Sequence, residues 1–226
     1  MTKLGFIFDL DGVLIDTQEL HWEAWTLMKE ESPVLASLEY KDFKAGFGQS
    51  NADFLEKYLN THTREEKLHF GEKKEALFRE LAKGAIQFLP GIESFLKELK
   101  AAHVSMIIGT SSPISNMEFY IHYTIIGDYF TQYVSSDHVA KGKPAPDIFL
   151  EAAHRIHLRP ENCVILEDSI QGLQAARATG SFVVALATTF THDYLERTAD
   201  FDLLVEPHQL NLDLIKGAFS PHENLG

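Results

Sequence analysis

Residues 4–8, 104–109, 163–166 and 182–186 are four short runs dense in apolar residues, without the polar alternation of a strand that faces water on one side. Strands buried on both faces belong in a parallel sheet covered by helices above and below. Between the runs the periodicity changes to that of a helix. Ile92, Phe95, Leu96 and Leu99 fall three and four residues apart, on one stripe, behind a Pro90-Gly91 start. Weaker strands are expected at 132–135 and 201–205. Strand and helix alternating from residue 88 onward predict right-handed crossovers in a doubly wound, Rossmann-like α/β fold.

The stretch between the first run and Pro90 has no convincing strand and reads as helical. Asp16 and Glu19 have capping-box spacing at the head of a helix expected to run to about residue 30. Phe54, Leu55, Tyr58 and Leu59 repeat at helical spacing, and Leu68, Leu77, Phe78 and Leu81 continue the pattern. An insertion of this size would form its own small core. The expected division is an α/β core over 1–15 and 88–226 and a helical domain over 16–87, joined by two crossings near 14–17 and 85–90 that would act as hinges. Residues 220–226 are polar and expected to fray.

Charge narrows the function classes. With 20 Lys and Arg against 33 Asp and Glu the net charge is −13, and no basic patch offsets it, so neither nucleic acid nor an anionic membrane is an expected partner. No apolar run approaches the roughly 18 residues of a membrane span, and the first is interrupted by Asp9 and Asp11, unlike a secretory leader. The lone Cys163 cannot form an intrachain disulfide and reads as a small core residue, which fits a reducing cytoplasm. No dedicated interface stripe is visible, so a monomer is expected.

Ligands of open parallel sheets sit beyond the carboxyl ends of the strands. Four ends carry polar signatures: Asp9-Leu10-Asp11-Gly12, Thr110-Ser111-Ser112, Lys143-Pro144 and Glu167-Asp168-Ser169. Each alone reads as turn chemistry. Converging on one crevice, they set up to four carboxylates (Asp9, Asp11, Glu167, Asp168) beside one lysine. That crowding calls for a cation, and all-oxygen ligands suit Mg²⁺ with a substrate phosphate. Asp9 could then attack phosphorus to form an aspartyl-phosphate, and Asp11 could protonate the leaving oxygen and later deprotonate water. Gly12 permits the sharp turn between them and the next segment. The Thr110 hydroxyl and the following backbone N–H, at Ser111, would hold phosphoryl oxygens, while Lys143 neutralises charge beyond the metal's reach. Lys143 rather than Lys141 is favoured because it precedes Pro144 and a helix expected near Pro146.

With these four motifs in this order, 9–16 (DLDGVLID), 110–111, 143–147 (KPAPD) and 167–169, the chain resembles the haloacid dehalogenase superfamily, in its branch with a helical cap inserted after the first strand. The resemblance covers nearly the whole chain. It implies Asp9 as nucleophile, Asp11 as general acid and base and, through its backbone carbonyl, a metal ligand, with Asp168 and Glu167 completing a Mg²⁺ site. Relatives in that branch include β-phosphoglucomutase and many phosphatases of sugars and small metabolites. Thr17, His21 and Trp25 resemble the mutase's stretch leading into the cap. Gly48-Gln49-Ser50-Asn51 aligns with the loop that in the mutase presents an arginine to a second phosphate, and here Asn51 stands in its place. An amide cannot replace a planar bidentate cation, so the expected activity is hydrolysis of a small phosphorylated metabolite such as a sugar phosphate. The alternative is isomerisation of β-glucose 1-phosphate to glucose 6-phosphate, with Lys74, near the family's cap lysine, compensating for the arginine. A non-enzymatic signalling receiver also gathers Asp, Thr and Lys at strand ends, but carries no such insertion. For the insertion's residues two readings stay open. His21 and Trp25 serve packing or ligand contact, Asn51 caps the helix of Phe54 and Leu55 or meets substrate, and Lys74, like Lys73, lies on a solvated face or in the site.

Overall fold

The computed structural model describes residues 4–219; the polar segment expected to fray lies outside the described residues. Six parallel strands form one sheet in the order β3-β2-β1-β4-β5-β6: β1 (Gly5–Phe8), β2 (Ser105–Gly109), β3 (Tyr133–Val134), β4 (Cys163–Glu167), β5 (Phe182–Leu186) and β6 (Leu203–Val205). β1 lies between β2 and β4, with Gly5 in register with both Ser105 and Cys163. The four apolar runs are thus β1, β2, β4 and β5, and both weaker strands are present, shorter than expected. Every residue of β1 and β4 is buried, as strands covered on both faces require.

The alternation of side chains divides the core into two layers. Phe6 and Phe8 of β1 point to one face, where Ile92, Phe95, Leu96 and Leu99 of α5 (Ile92–Ala101) pack with them; Ile7, Ile107 and Ile165 point to the other, against Ile148, Phe149 and Ala152 of α7 (Asp147–Arg155). α6 (Ile114–Tyr123), α8 (Ile170–Ala178), α9 (His192–Thr198) and α10 (Leu212–Ala218) complete the cover. Among the described residues no helix is long and apolar enough to cross a membrane.

From Gln18 to Ala82 the elements are helical: α1 (Gln18–Glu31), α2 (Tyr40–Gly46), α3 (Asn51–Leu55) and α4 (Arg64–Ala82), with a 3₁₀ turn at Pro33–Leu35. Trp25, Met28, Leu35, Leu38, Phe43, Phe47, Leu55 and Leu59 form an apolar cluster of their own there. Three local expectations are corrected. Asp16 and Glu19 make no capping box: Thr17 is the N-cap residue, Asp16 accepts from the Gln18 N–H at 3.3 Å, and the Glu19 carboxylate accepts from the Tyr40 hydroxyl instead. Leu68 is half-exposed rather than part of the buried stripe. Asn51 does not cap α3; Ser50 does, accepting from the Asp53 N–H.

Candidate active site

The sheet order reverses at β1 and β4, and a crevice opens beyond the carboxyl ends of strands at such a switch point. Asp9 follows β1 directly, Glu167 ends β4 and Asp168 follows it, so two adjacent parallel strands deliver three carboxylates to one place. One oxygen of each lies within 4.8 Å of the others, and all three residues are buried. Lys143, fully buried before a cis Pro144, reaches in from the loop preceding α7, with Nζ 2.6 Å from both Asp9 Oδ1 and Glu167 Oε1 and 4.6 Å from the centre of the Phe149 ring. Burial opposes the lysine's charge, but the two carboxylates outweigh it and hold its pKa above the ordinary value.

Glu167 Oε2 accepts from the backbone N–H groups of Asp168 and Ser169, both at 2.7 Å, so its direction is set by the turn into α8. Asp168 is less well served. Its Oδ2 accepts from the Thr188 hydroxyl at 3.3 Å, while its Oδ1 is buried with no hydrogen-bond partner. Burial, then Glu167 and Asp9, push its pKa well above the usual carboxylate range. Burial also pushes Asp9 up to about 7, against the pull of Lys143. Three buried carboxylates facing one ammonium, with an oxygen left unpaired, fit a hard divalent cation: the donors are all oxygen and the missing charge is positive. Gly12, at φ +84°, makes room for the cluster, because a Cβ there would overlap the Asp168 carboxylate.

Asp11 has different neighbours. Its carboxylate accepts from Thr17 Oγ1 at 2.6 Å, Ser112 Oγ at 2.8 Å and the Tyr120 hydroxyl at 3.3 Å, and lies 3.6 Å from His21 Nε2. Burial alone would raise its pKa; the His21, Thr17 and Ser112 contacts outweigh it and bring it down to about 2. Lys74 Nζ lies 2.6 Å from His21 Nδ1, so the ring stands between the Lys74 ammonium and, through Nε2, the Asp11 carboxylate. The His21 ring stacks on Phe78 at 3.8 Å. Thr110 is fixed by its N–H on Val134 O, and its hydroxyl accepts from the Ser112 N–H at 3.1 Å; the Ser111 hydroxyl donates to Gly48 O at 2.7 Å, tying strand end to helical segment.

A single cavity joins these groups, lined by Asp9, Asp11 and Thr110 of the strand ends and by Trp25, Asn51 and Lys74 of the helical segment. The family model of the haloacid dehalogenase-like hydrolases matches residues 6–186. The chain belongs to that family. A β-phosphoglucomutase of Bacillus subtilis is 33% identical over 188 residues, 80% of this chain and 81% of that protein. A fructose-1-phosphate phosphatase of Escherichia coli is 31% identical over 183 residues, 78% of this chain and 92% of that one. Among solved structures, a β-phosphoglucomutase from Clostridium difficile superposes with a TM-score of 0.82 at 26% identity, over 96% of this chain and 97% of that one.

In this hydrolase the expected residues gather closely. Asp9, Asp11, Thr110, Ser111, His21, Trp25, Gly48, Asn51 and Lys74 line the cavity, with Lys143, Glu167 and Asp168 packed behind Asp9, Gly12 against Asp168 and Thr17 against Asp11. Lys74 is buried, not solvated, and Asn51 donates to Glu75 Oε1 at 2.6 Å. Trp25 both packs and lines: its ring lies 5.2 Å from Phe54 and 5.4 Å from the Lys74 ammonium. The sequence does not single out Ser112, Tyr120, Glu75 and Asn116, nor the lining Phe43 and Phe47. Ser112 closes the Thr110-Ser111-Ser112 motif, whereas Tyr120 and Asn116 read as ordinary positions of a helix, and Glu75 as one more charge beside Lys73 and Lys74.

Proposed function

We propose that this hydrolase is a Mg²⁺-dependent phosphatase of small phosphorylated metabolites, with Asp9 as nucleophile and Asp11 as general acid and base. The observation that carries the reading is the placement of two aspartates, two residues apart, in opposite environments on one cavity: Asp9 against a buried ammonium and an acidic cluster, Asp11 among hydroxyl donors and His21. Asp9, Glu167 and Asp168, with the Asp11 backbone carbonyl, would hold the cation, which when bound supplies positive charge for phosphoryl oxygens. Lys143 favours the ionised form of Asp9 and orients it, and the Thr110 hydroxyl and the Ser111 N–H serve as phosphoryl-oxygen donors.

The chemistry divides into two displacements. Asp9 Oδ bonds to phosphorus as the ester P–O bond breaks, and the leaving oxygen takes a proton from Asp11, whose proton affinity rises when an anionic ester arrives beside it. Water then attacks the aspartyl-phosphate and passes its proton to Asp11; the P–O bond to Asp9 breaks, releasing phosphate and restoring the Asp9 carboxylate and the Asp11 acid. Residues 16–87 act as a cap domain over this crevice, with the core at 1–15 and 88–226, a reading supported by the separate apolar cluster and by the Ser111–Gly48 and Gln171–Ala45 hydrogen bonds. Closure excludes bulk water and large substrates.

The test is phosphate release from a panel of small monoesters with Mg²⁺. Asp9→Asn is expected to abolish it, and Asp11→Asn to lower it by about 10²–10⁴-fold; release surviving in Asp9→Asn overturns the reading. The resemblance to a mutase favours a second outcome, glucose 6-phosphate from β-glucose 1-phosphate with a bisphosphate primer. The Asn51–Glu75 contact speaks against it, since it puts an amide and a carboxylate where a bisphosphate would need cations.

A further inference from the structure

Lys74 is the single lysine or arginine among the described residues lining the cavity, and its ammonium is already engaged. It donates to Glu75 Oε1 at 2.9 Å and to His21 Nδ1 at 2.6 Å, and lies 5.4 Å and 5.6 Å from the Trp25 and Phe78 ring centres. Glu75 is itself buried, lines the same cavity, and has both oxygens occupied: Oε1 by Lys74 and Asn51, Oε2 by the Asn116 amide at 2.7 Å. Arg79 sits behind, donating to Asn116 Oδ1 at 2.8 Å and Ser115 Oγ at 3.0 Å, which turns the Asn116 NH₂ toward Glu75. The same cavity is also lined by the rings of Phe43, Phe47 and Phe54, with Gln49.

A lysine with its own buried carboxylate presents a dipole, not a net positive charge. A second phosphate or carboxylate on the leaving group would lose its hydration against aromatic rings and meet Glu75 as closely as Lys74. A neutral, hydroxyl-bearing leaving group meets no such penalty. We propose that Glu75 sets the charge specificity of this pocket by masking Lys74, so that the substrates are phosphate monoesters of neutral alcohols and esters with a second anionic group are rejected. This rests on the hydrolase reading above; Glu75 is a specificity-determining residue and takes no part in the bond changes.

The experiment measures kcat/KM with Mg²⁺ for two matched pairs, fructose 1-phosphate against fructose 1,6-bisphosphate and glycerol 3-phosphate against 3-phosphoglycerate. It adds the Kd of each ester for Asp9→Asn by titration calorimetry. The parent is expected to favour the neutral member of each pair by about 100-fold. Glu75→Gln, which uncovers the lysine, is expected to narrow that ratio at least about tenfold, chiefly by lowering KM for the anionic ester, and Glu75→Asp, which keeps the charge, to restore it. Asn51→Arg, adding a cation on the other side of Glu75, is expected to move the ratio the same way and serves where Glu75→Gln does not fold. A parent ratio near one, or a ratio unmoved in a folded Glu75→Gln or Asn51→Arg protein, overturns the proposal. Binding selectivity in Asp9→Asn without turnover of any ester by the parent would sink the hydrolase reading and leave the pocket assignment standing. Turnover without selectivity would do the reverse.

Discussion

Gly172 carries no side chain at a point where one would collide with Glu167: a Cβ built there overlaps the carboxylate that holds Lys143. Gly172→Ala is expected to push Glu167 off the lysine and cost about 1–3 kcal/mol, the usual toll of overpacking, read as a lower urea midpoint with an unchanged m-value. Glu75 gives a pH test. Burial would raise its pKa, but Lys74, His21 and Asn51 prevail and bring it from 4.5 down to about 2. The folded state therefore releases the proton more readily than the unfolded chain. The stabilisation, on the order of 3 kcal/mol, is complete above about pH 4.5 and is lost as pH falls toward 2. Glu75→Gln should flatten this acid limb of the urea-midpoint profile, and an unchanged limb would show that the carboxylate is not held by those donors. Asp9, Lys143, Glu167 and Asp168 were legible in the sequence because each follows or closes a strand, or stands in the short Pro-marked loop just before a helix, and those positions survive any detail of packing. Glu75, Asn116 and Tyr120 were not, since their partners lie 41, 41 and 109 residues away in the chain and no local pattern encodes such a contact.

Among the elements, the strands could be read from apolar density alone because a central parallel strand has no solvent face to conceal it, and β1 and β4 are buried throughout. The helical segment was less legible at its joints. Thr17 heads α1, yet its hydroxyl donates to Asp11 rather than capping the helix, so a residue that local chemistry would spend on α1 serves the site. α2 and α3 have seven and five residues; the helical spacing of Phe54, Leu55, Tyr58 and Leu59 outruns α3, which ends at Leu55, and packing rather than propensity sustains both helices. α1 and α4 meet at Phe78, which is fully buried and lies flat against His21 at 3.8 Å with an interplanar angle of 8°. Phe78→Ala is expected to cost about 3–5 kcal/mol in urea unfolding. It should also lower kcat more than it raises KM, because an unstacked His21 no longer lies fixed beside Asp11. A loss of stability with kcat intact would confine Phe78 to packing.

For the molecule as a whole, the sheet order is what assembles the site: β1 at the switch point collects residues from segments more than a hundred positions apart, and no shorter arrangement would bring Lys143 to Asp9. That assembly sets stability against function. The metal-free protein buries Asp9, Glu167 and Asp168 around one lysine, with Asp168 Oδ1 unpaired, on a chain whose net charge is already −13. Mg²⁺ at about 100 times its Kd would add about 2.7 kcal/mol, which for a chain of this size raises Tm by about 5–10 °C over the value in EDTA. NaCl at matched ionic strength should give a much smaller shift, because general screening acts on exposed charge and leaves the buried cluster untouched. Asp168→Asn separates the two demands. Replacing the carboxyl by a neutral amide removes the cost of holding an ionisable group against Glu167 and Asp9, so Tm in EDTA should rise by a few degrees, about 2–4 °C for each kcal/mol gained. The same change withdraws one of the three carboxylates, so the Mg²⁺-induced shift should largely vanish together with turnover. A variant that is less stable than the parent in EDTA, or that keeps the full Mg²⁺ shift, would mean that Asp168 is held by the fold for its packing and not for a cation.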